Sequence, residues 1–174
     1  MYYLGVDLGG TNIKAALVSE NGEIVKEAAV PTNLPRTAQE VCDDIAALCL
    51  QLGAGEPVAG IGVGCPGTVC DGVVLYSNNL GWHDFAMADY LQAKTELPVC
   101  LGNDANVAAL GEALVGCAKG AQSAVILTLG TGVGAGVVLG GKLLTGYTGA
   151  AAEPGHTVIL DTPDAPLCTC GRRG

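Results

Sequence analysis

The sequence predicts an α/β fold built from two related lobes, and three observations indicate it. The 174 residues are 49% hydrophobic but only 4% aromatic and include 27 glycines, so the core is expected to consist of aliphatic and small side chains between tight turns. Strand-like segments alternate with segments of helical periodicity. A strand, glycine turn, strand pattern at residues 6–18 recurs at residues 127–139, and such a repeat indicates duplicated units.

The chain is predicted to open with an antiparallel meander followed by a helix. The predicted strands are residues 4–8, 13–19 and 23–32. Asn21-Gly22 is a two-residue hairpin signal between the second and third of them. Thr37 and Glu40 have the spacing of a capping box, and apolar residues then recur at helical intervals until Gly53, which is expected to end the helix.

The middle of the chain is predicted to alternate between strands and helices. Further strands are expected at residues 58–63, 72–76 and 98–101. Asp84 is expected to cap a helix. Asn103 is expected to open another helix, with Val107, Leu110 and Leu114 facing inward. Bulky residues are scarce at 116–121, so we place a domain boundary there, between an N-terminal lobe at 1–117 and the beginning of a second lobe at 118–174.

Charge and cysteine usage narrow the class of partner. The net charge is −9, and the acidic residues concentrate before residue 118, which argues against nucleic acid and against an anionic membrane as partners. The sequence contains no long apolar segment and no basic region before an apolar stretch at its start. Cys42 and Cys49 are seven residues apart on the first predicted helix and are expected to face inward, so we expect free thiols in a reducing cytoplasm.

The two repeated glycine turns are candidates for phosphate binding. Glycines let backbone N–H groups point outward without obstruction, and two such turns can hold one polyphosphate. The candidate residues are Asp7, Gly9, Gly10, Thr11, Asn12 and Lys14 in the first turn and Gly130, Thr131 and Gly132 in the second. Ordinary hairpin turns are the alternative. Rossmann and P-loop motifs are rejected because a strand, not a helix, follows the second turn.

Three further groups of residues are candidates for chemistry. Asp104, with Asn103, lies where a predicted strand meets a helix, and it is either functional or a partner of the helix dipole. Glu153 and His156 are suited to binding hydroxyl groups. His156, Cys168 and Cys170 supply three of the four ligands of a structural zinc, although the cysteines are equally consistent with free thiols.

Taken together, these motifs resemble the ROK family of bacterial sugar kinases and repressors. They occur in the family's order along the whole chain, as Asp7-Leu-Gly-Gly-Thr-Asn-Ile-Lys14, Asn103-Asp-Ala-Asn106, Leu129-Gly-Thr-Gly-Val-Gly134, Glu153-Pro-Gly-His156 and Cys168-Thr-Cys-Gly171. The resemblance implies a ribonuclease-H-like (actin-like ATPase) α/β fold with ATP, Mg²⁺ and a sugar in the cleft between two lobes.

The resemblance also implies a role for each candidate residue. Asp104 is expected to be the base that accepts a proton from the attacking sugar hydroxyl. Asn78, Asn103, Glu153 and His156 are expected to bind the other hydroxyls, and His156 also to hold structural Zn²⁺ with Cys168, Cys170 and a third cysteine. The expected reaction is phosphorylation of a hexose, with glucose as the first choice over N-acetylmannosamine, allose and fructose.

The family pattern continues beyond the point where this sequence ends. The third zinc cysteine and the rest of the nucleotide lobe are therefore absent from it, and little kinase activity is expected from these residues alone. The whole protein is expected to be a homodimer. The alternatives are a sugar-responsive transcriptional regulator, for which the family pattern places a helix-turn-helix before the first turn, a non-catalytic sugar-binding protein, and another actin-fold ATPase such as a chaperone or filament protein.

Overall fold

The computed structural model describes residues 1–130, 132–168 and 170–174. The strands are β1 (Tyr2–Leu8), β2 (Asn12–Ser19), β3 (Ile24–Pro31), β4 (Val58–Cys65), β5 (Thr68–Cys70), β6 (Val73–Ser77), β7 (Trp82–Phe85), β8 (Val99–Asn103), β9 (Ser123–Leu129), β10 (Val133–Leu139) and β11 (Lys142–Leu143). The helices are α1 (Ala38–Gly53), α2 (Met87–Thr95), α3 (Asp104–Leu114) and a short 3-10 helix (Pro154–His156).

The largest sheet has five strands in the order β3-β2-β1-β4-β8. The first three strands along the chain form the predicted antiparallel meander, whereas β4 and β8 run parallel to β1. Asp7 pairs with Gly64, and Cys65 pairs with Asn103. The carboxyl ends of the three parallel strands therefore lie at one edge of the sheet, where α/β folds place their ligand sites.

Helix α1 begins with the predicted capping box, in which the Glu40 N–H donates to the Thr37 hydroxyl and the Thr37 N–H donates to the Glu40 carboxylate. Cys42 and Cys49 are fully buried, as expected from their spacing. Desolvation raises the pKa of each of these thiols to about 12, so they behave as small apolar groups.

Two three-stranded sheets complete the fold, in the orders β5-β6-β7 and β11-β10-β9. The core beneath the large sheet is aliphatic, with Trp82 and Met87 as its only buried large side chains of other types among the described residues. The predicted boundary after Cys117 falls in the connection between α3 and β9. Within the described residues, no helix combines the length and the apolar character needed to cross a bilayer.

Helix α3 packs against both the large sheet and the sheet that contains β10, and glycines allow the close approach. A Cβ added at Gly64 or Gly102 would lie 2.8 Å or 2.5 Å from a methyl group of Val107. On the other side, a Cβ added at Gly136 would lie 2.8 Å from the Ala105 carbonyl oxygen. The start of α3 is thereby held between the two sheets.

Four local predictions were wrong, and each has a structural reason. The connection between β2 and β3 takes up residues 20–23 because the Ser19 N–H donates to the Glu23 carbonyl, so the hairpin loop is longer than two residues. Two strands that were not predicted, β5 and β7, form a small antiparallel sheet with β6. The predicted end of α1 is confirmed, since the helix ends at Gly53 with Ala54 as its C-cap.

The other two errors concern Asp84 and Leu114. Asp84 does not cap α2, because the pairing of β7 with β6 extends past it to Phe85 and the N-cap is Ala86. Leu114 is 61% exposed. The buried residues of α3 are Ala105, Asn106 and Ala109, which are small because the backbone of β10 approaches them closely at Gly136. The larger Val107 packs on Gly64 and Gly102 of the large sheet.

Candidate active site

A cleft of about 400 Å³ lies at the edge of the large sheet and is lined by both repeated glycine turns. Of the candidate residues named from the sequence, those that line it are Asp7, Gly9, Gly10, Asn103, Asp104, Gly130, Gly132 and Glu153. Its charged lining within the described part of the chain consists of three carboxylates and no lysine or arginine.

The first turn joins β1 to β2 and is held from below by a buried residue. The Gly9 N–H donates to the Asn12 carbonyl at 3.0 Å. The hydroxyl of Thr32, which is fully buried, donates to the Gly9 carbonyl at 2.7 Å, and the Thr32 N–H donates to the Thr11 carbonyl at 2.9 Å. Thr32 therefore holds the carbonyl groups on both sides of Gly10, and Gly10 itself lines the cleft. Thr32 is not among the residues predicted from the sequence, because a threonine at a strand end gives no distinctive signal.

The second turn joins β9 to β10 and closes in a similar way, with the Gly130 N–H donating to the Gly132 carbonyl at 3.0 Å. Among the described residues, no atom lies within 4 Å of a Cβ added at Gly130 or Gly132, so both positions are open on that side. Thr131, the candidate between them, lies outside the described residues. Two glycine turns from separate sheets thus line one cleft.

Asp104 is the first residue of α3 and follows directly on the end of β8. One of its carboxylate oxygens accepts a hydrogen bond from the Ala105 N–H at 2.9 Å, and the side chain is exposed to the cleft. Burial, with a smaller contribution from the Asp104 charge, raises the pKa of the Cys65 thiol to about 12. A fixed carboxylate therefore faces both glycine turns, beside a neutral thiol.

Asn103 precedes Asp104, and both the oxygen and the nitrogen of its side-chain amide form hydrogen bonds. Its Oδ1 accepts from the Asn106 N–H at 3.1 Å and so caps α3, while its Nδ2 donates to the Gly67 carbonyl at 3.1 Å. Asn106, the last residue of the Asn103-Asp-Ala-Asn106 motif, is 5% exposed, and its Oδ1 has no hydrogen-bond partner among the described residues. Asn106 lines a second cavity, behind the cleft.

The two consecutive asparagines after β6, Asn78 and Asn79, have different surroundings. The Asn78 Oδ1 accepts from the Tyr76 hydroxyl at 3.1 Å, and Asn78 is not among the described residues that line the cleft. Asn79 and Pro66, which were not named from the sequence, do line it. The sequence offered no means of choosing between consecutive asparagines, because their side chains point in different directions only once the turn has formed.

Glu153 precedes the short 3-10 helix and His156 is its last residue, and the two side chains lie in different environments. Glu153 lines the cleft, whereas His156 lies with Cys168 and Cys170, all three ligand atoms being within 4.8 Å of one another. The helix packs tightly on β10, since a Cβ added at Gly155 would lie 2.9 Å from the Val133 carbonyl carbon. The glycine between Pro154 and His156 thus lets this segment reach the second turn.

The His156, Cys168 and Cys170 cluster fits a tetrahedral metal site. The His156 Nδ1 lies 3.6 Å from the Cys168 Sγ. Zinc–nitrogen and zinc–sulfur bonds of about 2.0 and 2.3 Å at a tetrahedral angle give nearly the same separation. Imidazole and two thiols are also the donor types that zinc prefers. The three residues therefore fit three corners of a zinc site.

Thr11, Asn12 and Lys14 lie outside the set of described residues that line the cleft. Lys14 is the cross-strand partner of Asp7 and lines the second cavity, of about 1110 Å³, on the face of the sheet beneath the cleft. Asp7 and Asn103 line both cavities. The two spaces are therefore neighbours, with these two residues between them.

Comparisons with known proteins agree with this geometry. The sequence profile described as the ROK family matches residues 3–174. The chain is 42% identical to the glucokinase of Halalkalibacterium halodurans, over 99% of this chain and 54% of that protein. It is 41% identical to the N-acetylmannosamine kinase of Shigella boydii, over 100% of this chain and 59% of that protein. The chain thus spans about half the length of the curated relatives that it matches.

Solved structures give the same result. A ROK family glucokinase from Streptomyces griseus, in complex with glucose and AMPPNP, superposes with a TM-score of 0.89 at 39% identity, over 100% of this chain and 55% of that one. A ROK family transcriptional regulator, a homologue of the E. coli MLC protein, superposes with a TM-score of 0.85 at 28% identity, over 99% and 45% of the two chains. The predicted ribonuclease-H-like, actin-like ATPase fold is confirmed.

Proposed function

This chain belongs to the ROK family, and from that premise we propose that it forms the sugar-binding and base-carrying part of an ATP-dependent hexose kinase. The observation that carries the proposal is the position of Asp104, whose carboxylate shares one cleft with both glycine turns. A carboxylate facing two phosphate-binding turns is the arrangement that transfer of a phosphoryl group to a hydroxyl requires.

In this proposal the two turns bind the phosphates of ATP. The backbone N–H groups around Gly10 and Gly132 supply neutral donors, and Thr11, Asn12, Lys14 and Thr131 remain proposed contacts. Three carboxylates and no cationic side chain line the cleft among the described residues, so a polyphosphate needs a compensating cation there. Asp7 would hold Mg²⁺ through a water molecule, and the ion would neutralise phosphate charge when bound.

The proposed step transfers the γ-phosphoryl group of ATP to a sugar hydroxyl. The oxygen of a sugar hydroxyl attacks the γ-phosphorus, the bond from that phosphorus to the bridging oxygen breaks, and ADP leaves with that electron pair. The hydroxyl proton passes to the Asp104 carboxylate, which the Ala105 N–H holds in place. Most of the catalysis comes from positioning, because little covalent chemistry is asked of the protein.

We propose that Asn103 and Glu153, which line the cleft, contact the sugar. Asn79 is proposed as a third contact because it also lines the cleft. Asn78 and His156 are proposed as further contacts. His156 would also bind a structural Zn²⁺ together with Cys168 and Cys170. That ion would fix the segment carrying Glu153 against β10, so the ligand set would orient a sugar contact rather than take part in the reaction.

Glucose is the proposed hexose. Relatives with the names glucokinase and N-acetylmannosamine kinase match at nearly equal identity, 42% and 41%, so the preference for glucose depends on the glucose bound in a structure of TM-score 0.89. A competing sugar that differs at one position changes contacts worth roughly 1–3 kcal/mol, which a panel of sugars resolves.

The test is ADP release by the whole protein with ATP, Mg²⁺ and a panel of hexoses, beside Asp104→Asn. Loss of a general base is expected to lower kcat by about 10²–10⁴-fold. Asp89→Asn is the matched control, because Asp89 also lies in the first turn of a helix but away from the cleft. Equal activity of Asp104→Asn and wild type would refute the assignment of the base, and no sugar-dependent ADP release would refute the kinase.

The second candidate is a sugar-responsive transcriptional regulator, favoured by the TM-score of 0.85 to a regulator of the same family. Such a protein binds sugar without transferring phosphate. Sugar-dependent protection from thermal unfolding, without ADP release and with retention of a specific DNA fragment, would favour it over the kinase.

A further inference from the structure

The side chain of Asn103 joins two parts of the fold that are distant in sequence. Its Oδ1 caps α3 through the Asn106 N–H, and its Nδ2 reaches the Gly67 carbonyl, each at 3.1 Å. Gly67 lies in the turn between β4 and β5, next to Pro66 of the cleft wall. One half-buried amide therefore connects the helix that carries Asp104 to the turn opposite it.

Gly67 is itself held tightly on its other side. Its φ of +105° lies in the region that favours glycine. A Cβ added there would lie 2.8 Å from the Ser77 Cα and would overlap the Tyr76 carbonyl oxygen. The turn is thus packed on the last residues of β6, and Asn78 and Asn79 follow at once. A displacement of Gly67 would be transmitted to this segment.

We propose that Asn103 is a positioning residue, which fixes the distance between Asp104 and the wall formed by Pro66, Gly67 and Asn79. The inference rests on the proposed kinase function. Both polar atoms of the Asn103 amide are engaged within the protein, and one N–H remains for a ligand. The main role of Asn103 is then to keep Asp104 and the opposite cleft wall at a fixed distance, and its contact with the sugar is secondary.

The test is Asn103→Ser in the whole protein. Serine caps a helix about as well as asparagine, so the start of α3 is preserved, but it cannot reach the Gly67 carbonyl. Without sugar, amide hydrogen exchange at residues 67–69 is expected to rise by about fivefold or more, with residues 105–108 unchanged. With sugar, kcat is expected to fall about tenfold for every hexose, since misplacement of the reacting groups slows each of them.

A control variant and a second substitution at Asn103 accompany this test. Asn21→Ser changes an exposed asparagine in a distant loop and is expected to leave the exchange of residues 67–69 as in wild type. Asn103→Asp keeps the cap and the side-chain size but replaces the donor with a carboxylate that repels the Gly67 carbonyl, so it is expected to loosen the same residues if Asn103→Ser does not fold.

Two outcomes would overturn the proposal. One is unchanged exchange at residues 67–69 in both Asn103 variants. The other is an effect on KM alone that disappears with one deoxy sugar, because that pattern belongs to a residue that only contacts a single hydroxyl. If wild type releases no ADP with any sugar, the kinase proposal fails, and the exchange measurement still decides the positioning role.

Discussion

Gly136 of β10 lies against Ala109 of α3 so closely that a Cβ on the glycine would overlap the Ala109 Cβ. The same added atom would be 2.8 Å from the Ala105 carbonyl oxygen, and on the opposite side of α3 Val107 packs on Gly64 and Gly102. Glycines on both sides therefore allow one helix to touch two sheets, and they place Asp104 beside both turns.

Gly136→Ala is accordingly expected to destabilise the protein by about 1–3 kcal/mol, because helix and strand must separate to admit the methyl group. Urea denaturation measures the change. Gly111→Ala is the matched control on α3, since no atom in the described part of the chain lies within 4 Å of an added Cβ there, and it is expected to raise the free energy of unfolding by up to about 1 kcal/mol. Equal stability of Gly136→Ala and wild type would contradict the close packing.

Gly10→Ala distinguishes a phosphate-binding turn from an ordinary hairpin turn. No atom of the described residues lies within 4 Å of an added Cβ at Gly10, so the free energy of unfolding is expected to change by less than about 0.5 kcal/mol. The methyl group would obstruct phosphate at the open backbone, and the KM for ATP is expected to rise about tenfold. Gly62→Ala, equally unobstructed but remote from the cleft, is the control, and unchanged ATP affinity in Gly10→Ala would favour the ordinary turn.

His156→Ala and Cys168→Ser are expected to reduce bound zinc from about one ion per chain to a small fraction of that, because each removes a ligand from a four-coordinate site. Metal analysis of the purified whole protein measures the content. Cys117→Ser, at an exposed cysteine outside the cluster, should leave it unchanged. Zinc that is absent from wild type, or unaffected by both ligand variants, would remove zinc from the proposed function.

The Thr37 and Glu40 capping box predicts a pH dependence of stability. Hydrogen bonds from the Thr37 hydroxyl and N–H lower the pKa of the Glu40 carboxyl. Because the folded pKa is lowered, the contribution is present above the ordinary glutamate pKa and is lost as the pH falls through the lowered value. Glu40→Gln is therefore expected to lower Tm at pH 7, with a difference that narrows below about pH 4. Glu23→Gln is the control, and a difference that stays constant down to pH 3 would argue against the assignment.

Cysteine accessibility provides a test of the core. At pH 8, iodoacetamide is expected to label the exposed Cys100 readily, and to label Cys42, Cys49 and Cys65 only after unfolding, since all three are buried with pKa values near 12. Mass spectrometry of peptides from native and denatured protein measures the order. Labelling of Cys49 at the rate of Cys100 in the native protein would contradict the packing of α1.

Features of the protein that depend on local spacing could be predicted from the amino-acid sequence alone. The capping box of α1, the opening meander and the start of α3 at Asn103 follow from turn chemistry and from periodicity within a few residues. The repeated turns and the order of the motifs predicted the fold class, and the comparisons confirm it. These signals suffice because each depends on neighbours in the chain.

The contacts between side chains that are distant in sequence could be identified only in the folded structure. Asp84 does not cap α2 because β7 pairs with β6. Leu114 is exposed, whereas the small residues Ala105 and Ala109 of the same helix lie against Gly136 of β10. Asn79 lines the cleft in place of Asn78, and Thr32, directly after β3, supports the first turn through Thr11. Close approach between distant backbones sets these outcomes, and a single sequence carries no local signal of such an approach.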